Sequence, residues 1–108
     1  ANNPIVDYCD DILSIALDAI PKEMRHECVL RVFRDCTQEE IKTAAEFIAV
    51  YCACNGSINK IAKQLFMHKN TVQYRIAKIN EMLGFDIRNT RNLLRLQLVC
   101  DFFLRLQK

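Results

Sequence analysis

Glycine and proline are scarce in this chain of 108 residues, with two of each, and tryptophan is absent. A sandwich or barrel of short strands needs a turn roughly every 8–12 residues, and a sequence this poor in turn formers cannot supply them. The two glycines, Gly56 and Gly84, stand far apart, so no glycine-rich loop is available to cradle a nucleotide phosphate. No apolar run approaches the ~20 residues of a membrane-spanning helix, and no signal-peptide pattern opens the sequence. Only two histidines are present, and the six cysteines (9, 28, 36, 52, 54 and 100) offer a Cys-x-Cys but no Cys-x-x-Cys, which argues against a zinc site. Most of those cysteines sit among apolar neighbours, as in Tyr51-Cys52-Ala53-Cys54 and Val99-Cys100, where a thiol acts as a small hydrophobe. Reduced thiols in a cytoplasmic protein are the reading that fits, with no metal and no cofactor expected.

What remains, 51% hydrophobic and 26% charged residues, describes one globular domain built from helices. The formal net charge of +2 conceals a polarity along the chain. Residues 1–54 carry five Lys/Arg against ten Asp/Glu, whereas residues 55–108 carry ten against three. A basic half raises the local concentration of polyanions, which points to nucleic acid or an anionic membrane surface.

Apolar spacing divides the chain into about six helices. The opening Ala-Asn-Asn-Pro leads into a first helix over Asp7 to Ala19, with Tyr8, Ile12, Ile15, Ala16 and Ala19 on its inner side and Pro21 beyond its end. A second runs from Lys22 to about Arg34, turning Met24, Cys28, Val29, Val32 and Phe33 inward. Thr37 followed by Glu40 is a capping-box pair and announces a third helix from Gln38 to about Cys54. Its stripe is Ile41, Ala44, Ala45, Phe47, Ile48, Tyr51 and Cys52, and Asn55-Gly56 closes it with residues that tolerate positive φ. Ser57 caps a short fourth helix marked by Ile58, Ile61, Ala62 and Leu65. A fifth, over 69–83, turns Val72, Ile76, Ile79 and Leu83 inward and stops at Gly84. The last, from Asn89 or Thr90 to Leu106, has two adjacent stripes: Leu93, Leu96, Cys100 and Phe103 beside Leu94, Leu98 and Phe102. One core covers only one such stripe, so the second is a candidate dimer or interdomain surface.

The short helix, the three-residue gap Phe66-Met67-His68 and the longer helix behind it have the proportions of a helix-turn-helix. Small Ala62 allows close approach, Leu65, Met67 and Val72 fill the corner, and His68 falls at the cap position of the second helix. Amides at that helix start would then be free to face a phosphate. Its outer side carries Lys69, Asn70, Gln73 and Tyr74. Asn and Gln pair with an adenine edge and Lys donates to guanine, so these four are candidate base readers in the major groove. Ser57, Lys60, Lys63, His68, Thr71, Arg75 and Lys78 flank them as candidate phosphate contacts. Between Ser57 and Met82 five Lys/Arg face one Glu. A plain helical bundle with a solvated lysine face produces the same periodicity and charge; exposed amides at positions 70 and 73 are what such a bundle does not demand.

The run His68-Lys69-Asn70-Thr71-Val72-Gln73-Tyr74-Arg75-Ile76, followed by Lys78-Ile79, Gly84-Phe85-Asp86 and a leucine-rich closing helix with Arg91, resembles the C-terminal helix-turn-helix domain of PucR-like bacterial regulators. That group includes sugar-diacid and purine-catabolism regulators, and the resemblance covers about residues 30–104. The chain as a whole then reads as an all-α, compact bundle without a clear β wing, in which residues 37–108 are the DNA-binding unit and residues 4–36, most of them ahead of the matched stretch, are supporting helices. The resemblance implies a transcriptional regulator with a separate N-terminal sensor of a small molecule, making this chain a C-terminal fragment of a longer protein; on double-stranded DNA a homodimer is expected. The chain departs from the pattern at two places. Phe66-Met67 replaces the smaller pair frequent in the turn, and Gln73 stands where a basic residue is frequent, which removes a phosphate contact or shifts the operator preference.

The competing reading is a helical protein-interaction or dimerisation module that uses the surplus stripe of the last helix and binds no nucleic acid. An enzyme has no support in the spacing of Ser, His and acidic residues. Asp10-Asp11 and Glu39-Glu40 lie at helix beginnings, where carboxylates suit the positive end of the helix dipole.

Overall fold

The computed structural model describes residues 12–106, and among these every regular element is a helix. Residues 12–18 form α1, followed by α2 (Lys22–Val32), α3 (Gln38–Ala53), α4 (Ile58–Leu65), α5 (Lys69–Leu83) and α6 (Thr90–Leu106). The four helices from α3 onward are closed at their starts by a side chain. Thr37 Oγ1 accepts from the Glu40 amide at 3.1 Å while the Glu40 carboxylate accepts from the Thr37 amide at 2.8 Å, completing the capping box. Ser57 Oγ accepts from the Lys60 amide at 3.3 Å, His68 Nδ1 from the Asn70 amide at 3.0 Å, and Asn89 Oδ1 from the Asn92 amide at 3.0 Å. Each such cap contributes about 1 kcal/mol by satisfying an orphan amide. Helix α2 begins behind Pro21 with no side-chain cap.

The helix ends show two versions of one device. At the end of α3 the Gly56 amide donates to Tyr51 O at 2.9 Å and the Asn55 amide to Cys52 O at 3.0 Å, with Asn55 at φ 52°. At the end of α4 the Met67 amide donates to Ala62 O at 3.0 Å and the Phe66 amide to Lys63 O at 3.4 Å, with Phe66 at φ 54°. Both are Schellman closures, which require a left-handed residue at the turning point. Asparagine tolerates that conformation; phenylalanine occupies it at a cost of about 1 kcal/mol relative to glycine. Gly56 is required twice over, because its φ is 74° and a Cβ there would lie 3.1 Å from the Tyr51 hydroxyl oxygen.

Helix α6 is the spine of the bundle. Both α2 and α3 pack on it, α3 reaches α4, and α4 packs against α5. Phe33, Ile48, Ile61, Val72, Ile87 and Leu96 are the largest fully buried side chains, and they come from every layer of that arrangement. Among the described residues the cysteines lie in or against the core. Burial, with the neighbouring Cys52 adding to it, pushes the Cys100 thiol up to about 12, and burial also raises Cys36 and Cys52. Neutral thiols of this kind are poor nucleophiles and poor metal ligands.

Several sequence expectations are corrected by the packing. In α1 and the turn that follows it, Ile12, Ile15, Ala16 and Ala19 are exposed, and it is Leu17 and Ile20 that pack against the core. The predicted stripe was therefore turned to the wrong side; its Tyr8 and the Asp10-Asp11 pair lie outside the described residues. Met24 is likewise exposed, and α2 stops at Val32, with Phe33 buried just beyond it. The second stripe of α6 is partly taken by the core: Phe102 is buried, Leu98 half-buried, and Leu94 exposed. The reason is that α6 is flanked by both α2 and α3, so its covered arc is wider than one partner would give. The core stripes of α3 and α5 are observed as expected, apart from Cys52, which is half-buried.

Candidate nucleic-acid interface

Helix α5 has fifteen residues, a span of about 22 Å at 1.5 Å per residue. Val72, Ile76, Ile79 and Leu83 bury one side of it. Ile61 of α4 is fully buried beside that seam, and Ala62, Leu65 and Met67 pack at its edge. With the inner side occupied, Lys69, Asn70, Gln73 and Tyr74 all stand exposed, Tyr74 at 63%. Lys60, Lys63, His68, Thr71, Arg75 and Lys78 are exposed as well, and Ser57 is half-buried at the start of α4. Every residue of the predicted set is thus at least partly exposed on α4, on α5 or at their caps.

The details differ from expectation at the start of α5. Its amides are less free than predicted: the Asn70 amide is taken by the His68 ring, and the Thr71 amide donates to His68 O at 2.9 Å. The first of these bonds makes Nδ1 an acceptor, so the proton of a neutral His68 sits on the outward Nε2. His68 thus offers an Nε2–H donor at the start of α5, where the Asn70 and Thr71 amides are already taken. Ser57 works similarly, since its oxygen accepts from Lys60 while its hydroxyl proton remains free to donate.

The two flanks of α5 are not alike. Arg75 and Lys78 line a groove of about 490 Å³ shared with Thr43, Ala44, Phe47, Ile79 and Met82, and its rim also bears Glu39, Glu40 and Glu81. The positive potential on that flank is diluted by three carboxylates. On the other flank Gln73 borders a hollow of about 310 Å³ with Tyr51, Gly56, Ile58, Asn80 and Arg88. Arg88 is a cation that sequence reasoning missed. Its guanidinium reaches Asp86 through Nε and a terminal nitrogen, both at 3.1 Å, and its amide donates to Asp86 Oδ1 at 2.9 Å. Those bonds hold the Asp86 carboxyl below its ordinary value. The Asp-x-Arg spacing was the available signal, hidden because the segment reads as a turn.

That segment is a compact clip. Asn80 of α5 accepts the Ile87 amide at 2.8 Å and donates to Asp86 at 3.2 Å, while Asn92 of α6 donates to the Asp86 carbonyl at 3.1 Å. Ile87 is driven fully into the core, and Arg95 lies 5.7 Å from the centre of the Phe85 ring, within cation–π range. The Gly-Phe-Asp stretch therefore fixes where α6 leaves α5.

A short helix, a Schellman turn and a longer capped helix with a buried inner seam and a polar outer side define a helix-turn-helix domain of the transcription-regulator type. The chain belongs to the family of PucR C-terminal helix-turn-helix domains, whose pattern matches residues 44–102. It is 34% identical over 71 residues to the purine catabolism regulatory protein of Bacillus subtilis, a match covering 66% of this chain and 13% of that protein. It is 38% identical over 61 residues to the proline-responsive transcriptional activator PutR of the same organism, covering 56% of this chain and 14% of the relative. An uncharacterized protein of Mycobacterium tuberculosis is 38% identical over 50 residues, or 46% of this chain and 12% of its own. The chain thus spans about an eighth of the length of the curated relatives it matches. No solved structure matches it. Among the described residues no helix is long and apolar enough to cross a membrane.

Proposed function

We propose that this domain binds double-stranded DNA sequence-specifically as part of a bacterial transcriptional regulator, with α5 in the major groove. The observation that carries the reading is the exposure of Lys69, Asn70, Gln73 and Tyr74 at the leading end of a helix whose opposite side is sealed into the core. Asn70 and Gln73 read adenine edges, Lys69 donates to guanine, and Tyr74 packs at the groove wall. Ser57, Lys60, Lys63, His68 and Thr71 hold phosphates around the start of the reading helix, with Arg75 and Lys78 further along it. Residues 37–108 carry this activity and residues 4–36 support it. Two copies on a palindromic site would place their reading helices about 34 Å apart. Relatives named for purine catabolism and for a response to proline support an effector-sensing part elsewhere in the full-length protein and a cytoplasmic setting.

The test is fluorescence anisotropy of the chain on a library of genomic duplexes at increasing salt. Affinity should fall steeply with salt, with a log–log slope of roughly −0.9 per phosphate engaged, and one duplex class should outcompete the rest. Absence of binding to any duplex at low salt would reject the reading and leave the protein-interaction module standing. That alternative rests on what stays open of the second α6 stripe, with Leu94 exposed and Leu98 half-buried, Phe102 being taken by the core.

A further inference from the structure

Phe66 stands against the logic of the fold in two independent ways. It occupies the left-handed turning point of the α4 closure, at φ 54°, where glycine would sit without strain. It is also 95% exposed, so the ring returns nothing to the core in exchange. The equivalent point after α3 is Asn55, a residue suited to that conformation, so the chain handles the same device conventionally eleven residues earlier. A local rule broken without gain to folding marks a position used for something else. The setting says for what. Lys63 lies three residues before Phe66 and His68 and Lys69 two and three residues after it, all exposed and all among the residues read above as DNA contacts.

We infer that the Phe66 ring is a direct DNA contact, packing on the apolar groups of the duplex at the edge of the site read by α5. Those groups are the deoxyribose carbons of the backbone and the thymine 5-methyl in the major groove. The neighbouring cations engage phosphates and bring the ring onto this otherwise charged surface. An aromatic side chain adds contact area at low entropic cost because it has only two torsions to immobilise. The inference rests on the DNA-binding reading above and adds to it a contact that supplies affinity without charge.

Phe66→Gly and Phe66→Asn test it cleanly, because both relieve backbone strain and should fold at least as well. Each should leave the melting temperature unchanged or raise it by a few degrees. Each should also weaken binding to the preferred duplex by about tenfold, the effect of withdrawing roughly half of a phenylalanine side chain from a dry contact. The salt slope should stay that of the unaltered chain, since no phosphate contact is lost, whereas Lys63→Ala should flatten it. Replacing thymine by uracil at single positions then separates the two sources. A thymine-methyl contact gives one position whose replacement weakens the unaltered chain and not Phe66→Gly; a deoxyribose contact gives none, and the Phe66→Gly loss is equal on all duplexes. Unchanged affinity in both variants would overturn the inference while leaving the DNA-binding reading intact. A change in oligomeric mass accompanying the loss would overturn it in favour of a contact between copies. If the unaltered chain binds no duplex, the DNA-binding reading fails first and this inference with it.

Discussion

Along α5, Val72, Ile76, Ile79 and Leu83 each keep less than a tenth of their surface exposed, whereas along α1 Ile12, Leu13 and Ile15 keep between 47% and 71%. Both helices carry apolar residues at helical spacing. The difference lies in what surrounds them. Helix α5 is capped by His68 at one end and stopped by Gly84 at the other, packs on α4, and is tied to α6 through Asn80, Asp86 and Asn92. Helix α1 touches the core through Leu17 and reaches α6 by the Asp18–Arg105 ion pair. An exposed ion pair contributes little. Periodicity establishes that a helix can be amphipathic; constraints at its ends and a partner across its stripe determine whether the stripe is covered.

The contrast can be broken most severely from the α5 side. Ile76→Ala should destabilise the chain by about 2–5 kcal/mol, as removal of a buried branched side chain from a packed seam does, measured by urea unfolding. A change under about 1 kcal/mol would mean that the seam is not closed. On the opposite side of the same helix, Asn70→Ala should leave unfolding unaffected and cost about 1–3 kcal/mol in binding to the preferred duplex, with relaxed base choice. Should that variant keep full affinity and selectivity, the reading side has been misplaced. Gly56→Ala should cost about 1–2 kcal/mol in stability, because it combines a positive φ with a new methyl against Tyr51, and thermal melting would report it.

The clip at the far end of α5 has a pH signature. Asp86 is held below its ordinary value in the folded chain by Arg88, so its contribution is fully present above the unfolded carboxylate value and is lost as pH falls through the folded one. Asp86→Asn should therefore lower the melting temperature at neutral pH, and the gap to the unaltered chain should narrow below about pH 4. A gap that persists unchanged into strong acid would assign the effect to shape instead of charge. The smallest response belongs to α1: Ile15→Ser should shift stability by no more than about 0.5 kcal/mol, and a larger loss would show that this stripe is covered in solution.

How far the residues alone reveal the molecule follows the same division. The limits of α5, the Thr37–Glu40 box, the Ser57 and His68 caps and the helix-turn-helix were legible because each depends on neighbours within a few positions. The set Lys69, Asn70, Gln73 and Tyr74 emerged by subtraction, as the positions left once the inner seam was assigned. Arg88 was not legible, since its place beside Gln73 depends on a turn that brings together residues fifteen apart in sequence. Nor were the three glutamates beside Arg75 and Lys78, two of which arrive from another helix. The orientation of α1 and the breadth of the covered arc on α6 are tertiary facts of the same kind.

The caps that open α3, α4, α5 and α6 each come from within a few residues of the amides they satisfy. Nucleation, the expensive step for a helix, is thereby eased at four points before any distant segment has been found. A chain assembled in this way searches little conformational space, and its refolding should be complete in milliseconds or less.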